Sequence, residues 1–152
     1  LRIAEEMADS IAVSLHLRRG DYVQNANVNA FHGICDFNYY HSAMAHLRNT
    51  SDAPKFFIFS DELDAARAEF GEASDIIYVT GNSGEVSYRD MMLMARCKHH
   101  VIANSSFSWW GAWLAKAHGC ADDGQIVIAP KVWFAGAKEP MEDIYLPHWI
   151  RM

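Results

Sequence analysis

Cysteine is scarce. Cys35, Cys97 and Cys120 are odd in number, widely spaced and never arranged as C-x-x-C. Neither a disulfide framework nor a cysteine zinc site is indicated, and a reducing compartment is the simpler setting. No run approaches the ~18 apolar residues of a bilayer-spanning helix, and Leu1 to Ser10 lacks the basic-then-apolar order of a secretory signal. Basic charge is also short: 13 Lys and Arg stand against 19 Asp and Glu, a formal charge of -6. General attraction to nucleic acid or anionic lipid is therefore not expected, and any anionic ligand must be met by a local basic cluster. The eight histidines show no H-E-x-x-H spacing. Internal repeats, low-complexity tracts and linkers are missing too, so nothing divides the chain.

What is present is apolar material. With 152 residues, 51% of them hydrophobic and 12% aromatic, a single domain over residues 1–152 with an ordinary core is expected. The chain opens on Leu rather than Met, and its first residues read as the end of a helix already under way. A cut at the N-terminus is the expectation.

Residues 11–18 alternate strictly, with Ile11, Val13, Leu15 and Leu17 on one face and Ala12, Ser14, His16 and Arg18 on the other. This predicts a strand ending in polar chemistry. Residues 19–35, rich in Asn and Gly without a sustained period, predict a long loop. Asp36 then caps a helix that buries Phe37, Tyr40, Met44 and Leu47, with Pro54 in the loop beyond. Further strands are predicted over 55–60, 76–80, 99–103 and 125–129. Helices are predicted over 61–70, closed by Gly71, and over 87–98 and 106–118. Five strands alternating with helices predict βαβ units with right-handed crossovers. The fold class is α/β, a doubly wound parallel sheet covered on both faces.

In such sheets ligands bind beyond the carboxyl ends of the strands, and three segments lie there. Arg18 and Arg19 leave the first strand beside Gly20, and adjacent guanidiniums in an acidic chain suit bidentate phosphate recognition. A surface ion pair with Asp21 or another carboxylate explains them equally well, and Arg19-Gly20-Asp21 as an adhesion tripeptide is a weak third reading. Asp90 opens an apolar helix. There Ser87-Tyr88-Arg89-Asp90 fits a capping box, while a carboxylate in this crevice also suits the two-donor edge of guanine. Asn104-Ser105-Ser106-Phe107 begins another helix, whose hydroxyls and amides either cap it or hold phosphate. Trp109, Trp110 and Trp113 are expected to pack against the sheet rather than stack on a sugar. Asn49-Thr50-Ser51 and Asn104-Ser105-Ser106 match glycosylation sequons, and the second should stay bare.

Together these segments resemble the C-terminal half of the α-1,2-fucosyltransferases, glycosyltransferase family 11. His16-Leu17-Arg18-Arg19-Gly20-Asp21-Tyr22 is similar to the family's H-x-R-R-G-D-Y signature. Asn104 to Leu114 is similar to its final motif, and Leu146-Pro147-His148-Trp149-Ile150 to its usual C-terminus. Asp90 stands at the distance before Ser105 and Ser106 where related fucosyltransferases carry the carboxylate that reads guanine. The resemblance implies a Rossmann-like donor-binding domain of a GT-B type glycosyltransferase whose N-terminal half is absent here.

It further implies transfer of L-fucose from GDP-β-L-fucose to the 2-hydroxyl of a galactose-terminated glycan, with inversion. Arg18 would hold the β-phosphate and stabilise the leaving GDP. Arg19 would support that site or pair with Asp21, and His16 would line the pocket. Ser105, Ser106 and Phe107 would contact phosphate. No metal or other cofactor is expected, since the sequence contains no D-x-D. The α-1,6 relatives carry a Glu about ten residues past the motif His, where this chain reads Asn25-Ala26-Asn27. Asp21, ranked first, His32 and Asp36 are the remaining candidates for general base. Bacterial members work on the cytoplasmic side of the membrane, with peripheral association of the full-length protein; animal members work in the Golgi lumen behind an N-terminal anchor. The lack of a disulfide pattern favours the first setting. A nucleotide- or glycan-binding module without chemistry is the alternative for the polypeptide as it stands.

Overall fold

Strands β1 (Ile11–Leu17), β2 (Pro54–Ser60), β3 (Ile76–Tyr78), β4 (His99–Val101), β5 (Val127–Ala129) and β6 (Ile150–Arg151) pair in parallel in the order β3-β2-β1-β4-β5-β6. The structure is a computed structural model that describes residues 2–20, 25–117, 119, 124–138 and 141–152. Helices α1 (Arg2–Ala8), α2 (Ala26–His32), α3 (Phe37–Thr50), α4 (Leu63–Phe70), α5 (Tyr88–Met94) and α6 (Ser106–Ala117) flank the sheet. The doubly wound α/β architecture is as expected, with one more strand than the sequence announces. β6 is two residues long and pairs Ile150 with Ile128, too short to carry a periodicity of its own. No helix among the described residues is long and apolar enough to cross a membrane.

β1 lies at the centre of the sheet and is buried on both faces. Val13, Leu15 and Leu17 pack with Tyr40, Met44 and Leu47 of α3 and Ala66 of α4. Ala12 faces the opposite layer, where Met7 of α1 and Met94 of α5 meet Phe57 and Phe59 of β2. The polar members of the alternation are therefore interior groups: Ser14 is 2% and His16 6% exposed. The Ser14 hydroxyl lies 2.7 Å from His100 Nδ1 on the neighbouring strand, a hydrogen bond between two buried side chains.

The loop expected over residues 19–35 contains a helix instead. The Asn25 side chain accepts the Asn27 N–H, the Gly33 N–H returns to the Asn29 carbonyl, and Gly33 takes the left-handed φ of +71° that ends α2. Caps rather than an apolar stripe define this short helix, so its periodicity is silent. Asp36 caps α3 as predicted, accepting the Tyr39 N–H at 2.8 Å. Pro54 opens β2 rather than lying in the loop, a position where its missing N–H disturbs little. Trp110 and Trp113 stay 47% and 42% exposed, contrary to the packing expected of them. Small residues, Gly111, Ala112 and Ala115, form the buried side of α6. Gly111 lies so close to α5 that an added Cβ would meet Met94 Cβ at 2.8 Å.

Candidate functional site

The strand order reverses direction between β1 and β4, and a cleft of about 1130 Å³ opens at the carboxyl edge there. His16 and Arg18 enter it from the end of β1, Asp61 from the end of β2 and Asn82 from beyond β3. Asp90 contributes from the first turn of α5, and Ser105, Ser106 and Phe107 from the start of α6. The three segments singled out in the sequence thus converge on one cavity. Arg19 is not among the lining residues, and Asp21 lies outside the described residues.

Arg18 owes its place to Asp61, a residue outside the three motif segments. Asp61 Oδ2 lies 3.1 Å from Arg18 Nη1, and the same carboxylate accepts the backbone N–H groups of Arg19 and Gly20 at 3.1 Å each. One side chain therefore fixes both the guanidinium and the backbone that follows β1. Gly20 is a steric requirement of the clamp, because a Cβ there would lie 2.8 Å from Asp61 Oδ2. Arg19 stands over the Phe37 ring, 4.9 Å from its centroid, with Nε 3.7 Å from Glu62. It braces the outer side of the turn. The ion-pair reading of these arginines is thus correct in kind, with Asp61 and Glu62 as partners. The detectable signal was position: Asp61 follows a parallel strand, where that fold gathers its chemistry.

His16 is buried beside the cleft, with its ring centroid 5.7 Å from that of Phe107. Desolvation pushes the imidazole down to about 4, with Asp61 opposing and Arg18 reinforcing the shift. It is neutral at pH 7 and forms an aromatic wall with Phe107. α6 begins where Ser105 Oγ accepts the Phe107 N–H at 3.3 Å and Ser108 Oγ accepts the Ala103 N–H at 3.2 Å. Its first residues line the cleft, as Arg18 does, and add partial positive charge there.

Ser87 makes no capping hydrogen bond, so the capping-box reading of Ser87 and Asp90 does not hold. Asp90 instead accepts from Asn82 Nδ2 at 2.8 Å and faces the cavity. Burial raises its pKa while the Asn82 bond opposes the rise. Asp36, a base candidate, is occupied as the α3 cap and is not a lining residue of the cleft. His32, another, does line it. Asn104 of the sequon is 3% exposed, and its Nδ2 donates to the carbonyls of His32, Gly33 and Trp133 at 2.8, 3.2 and 3.1 Å. This amide is a structural tie, closed to modification. Among the described residues no group of three His, Cys, Asp or Glu is placed to hold a metal ion.

Comparison with known proteins agrees with the motifs. The profile of glycosyl transferase family 11 matches residues 2–152. An alpha-1,2-colitosyltransferase of Escherichia coli is 38% identical over 98% of this chain and 51% of its own length. The O-antigen biosynthesis glycosyltransferase WbnK of Escherichia coli is 35% identical over 91% and 44% respectively. Galactoside alpha-(1,2)-fucosyltransferase 1 of Saimiri sciureus is 29% identical over 68% and 28%. The chain spans about half the length, or less, of these curated relatives. Among solved structures, fucosyltransferase NodZ from Bradyrhizobium aligns over 74% of this chain and 40% of its own, with 17% identity and a TM-score of 0.47. On the family match over residues 2–152, this chain belongs to glycosyl transferase family 11.

Proposed function

We propose that the cleft binds GDP-β-L-fucose and that the full-length protein transfers L-fucose to the 2-hydroxyl of a galactose-terminated glycan, giving an α-1,2 linkage with inversion. The observation behind this reading is the convergence of a guanidinium, a helix N-terminus and a partly buried carboxylate on one cavity. Arg18 and the start of α6 meet the diphosphate, where negative charge grows as the C1–O bond breaks. Asp90, oriented by Asn82, accepts the N1–H and N2 amine of guanine. His16 and Phe107 close the wall between the two. The acceptor oxygen attacks C1 from the face opposite the diphosphate, which inverts the anomeric centre. Fixed cationic and dipolar groups supply the stabilisation, and no metal is part of the proposal.

Titration of GDP and UDP into the protein in metal-free buffer tests this reading. GDP binds more tightly than UDP, and Asp90→Ala removes about 10- to 100-fold of that preference, the worth of charged hydrogen bonds. Arg18→Ala abolishes measurable binding, and Arg18→Lys recovers little because an ammonium lacks the planar fork. Equal affinity for GDP and UDP in the wild type would remove the role given to Asp90. The 38% identity to a colitosyltransferase favours a second reading, in which the transferred sugar is colitose, the 3-deoxy form of fucose. Turnover of the two GDP-sugars side by side decides between them. Binding of GDP with neither sugar transferred by the full-length protein would leave a nucleotide-binding module.

A further inference from the structure

A second cavity, of about 480 Å³, adjoins the cleft, and His32 and Asn104 line both. Its wall includes Asp36, Asn38 and Ser42 around the start of α3, with Lys131 from beyond β5. Asn38 and Ser42 are four residues apart and so share one side of the helix. Carboxylate, amide, hydroxyl and ammonium groups around one concavity suit a ligand covered in hydroxyls, each of which both donates and accepts.

His32, which lines both cavities, ends a seven-residue helix and is held through both its backbone and its ring. The His32 carbonyl accepts from Asn104 Nδ2 at 2.8 Å and from the Ala135 N–H at 3.4 Å, while the Gly136 N–H donates to Phe31 O at 2.9 Å. The ring lies edge-on to Phe31 and to Phe134, with both centroids at 5.2 Å. Gly136 is pressed against this segment, since a Cβ there would lie 3.1 Å from Ala30 O and Phe31 Cα. Backbone and ring are both fixed, which a proton acceptor needs if it is to meet a hydroxyl at bonding distance.

We propose that the acceptor's terminal sugar occupies this second cavity and that His32 is the base for its reacting hydroxyl. The proposal rests on the nucleotide-sugar reading of the cleft. In the step, the hydroxyl proton passes to an imidazole nitrogen of His32 and the freed oxygen pair forms the bond to C1 of the donor sugar. The C1–O bond to the diphosphate breaks, its electron pair leaves with GDP, and the imidazolium returns its proton to solvent.

Steady-state kinetics on the full-length protein test it. His32→Ala and His32→Gln lower kcat for transfer by about 100- to 10,000-fold, while the Kd for GDP stays within about threefold. Added imidazole restores at least tenfold of the lost turnover in His32→Ala, an effect that repair of a merely structural contact does not produce. Replacing Asn38 and Ser42 together by Ala raises the acceptor KM about tenfold and leaves GDP binding unchanged. Unaltered kcat in His32→Ala, or loss of kcat together with GDP binding in both His32 variants, overturns the assignment. Wild-type protein that binds no GDP overturns the nucleotide reading beneath it, a distinct failure.

Discussion

Asp61 holds Arg18 from 3.1 Å with one of its oxygens and, through the same carboxylate, the N–H groups of the two residues that follow. Because the pair is partly exposed, its charge attraction alone is worth only about 1 kcal/mol. Its larger effect is geometric, since it aims the guanidinium from a turn that would otherwise be free to move. Asp61→Ala is therefore expected to weaken GDP binding about tenfold, which is about 1.4 kcal/mol. Gly20→Ala should weaken it by a similar factor, because its Cβ displaces Asp61 Oδ2 from 2.8 Å. The double variant should bind no worse than either single one, as the two changes break one interaction. Additive losses in calorimetric titration would show that the clamp is not shared.

Asn82 donates to Asp90 and opposes the rise in its pKa that burial causes. Removing this donor in Asn82→Ala leaves the carboxylate less oriented and easier to protonate. The preference for GDP over UDP is expected to fall by about fivefold to tenfold. The preference should also vanish at a higher pH than in the wild type as the medium is acidified, since only the ionised carboxylate accepts two donors. Affinity for inorganic pyrophosphate, which does not meet Asp90, should not change. Competition titrations at several pH values read both effects, and a loss of pyrophosphate affinity would assign Asn82 to the phosphate side.

These relationships show where sequence alone reaches and where it stops. β1 was readable because a strand alternates by geometry, and Arg18 because two guanidiniums in an acidic chain are conspicuous. Asp36 was readable because capping is a contact between near neighbours. The bonds of Asp61 and Asn104 were not, because their partners lie 42 and 72 residues away and bond through backbone atoms that carry no residue signature. The same holds for Ser87, where the capping pattern was present but the φ of -58° and ψ of -26° place it inside the helical turn rather than at a cap. Trp110 and Trp113 were misplaced for another reason. The small residues of α6 let it approach α5 closely, which directs the bulky ones outward.

That close approach yields a stability prediction. Gly111→Ala inserts a Cβ 2.8 Å from Met94 Cβ, a contact that only backbone movement relieves. Although Ala favours helix by about 1 kcal/mol over Gly, overpacking costs about 1–3 kcal/mol. The net expectation is a fall in Tm of a few degrees, as about 1 kcal/mol corresponds to roughly 2–4 °C at this size. A higher Tm would mean that α5 shifts freely.

Two buried histidines make stability depend on pH. Burial lowers His16 to about 4 and His100 to about 3, the latter with help from neighbouring His99. Both are neutral when folded, but in the unfolded chain they take up protons below about 6.5. The unfolded state therefore binds more protons between these values, and stability rises with pH there. The contribution is fully present above about pH 6.5 and is lost as pH falls toward 4 and then 3. Between pH 7.5 and 5 the pair should remove about 4 kcal/mol, seen as a lower urea midpoint. His100→Gln should flatten this dependence, and an equally steep one in that variant would place the protons elsewhere.

Asn104 offers the sharpest contrast between similar side chains. Its amide nitrogen faces three carbonyl oxygens, from His32, Gly33 and Trp133, so that end of the side chain must donate, while Oδ1 accepts from Cys35 Sγ at 3.5 Å. Asn104→Ala removes the donor from the Gly33 and Trp133 carbonyls and leaves His32 O only the longer bond from the Ala135 N–H, at a cost of about 1–3 kcal/mol. Asn104→Asp keeps the shape but turns an oxygen, charged or protonated, toward those carbonyls in a position only 3% exposed. Repulsion and desolvation then add to the lost bonds, so Asp should destabilise more than Ala despite its closer resemblance to Asn. Thermal unfolding of the two variants gives the order directly. Because Asn104 also holds the backbone of His32, both variants should lose transfer activity in the full-length protein before they lose GDP binding. An Asp variant as stable as wild type would mean that the three carbonyls are satisfied in some other way.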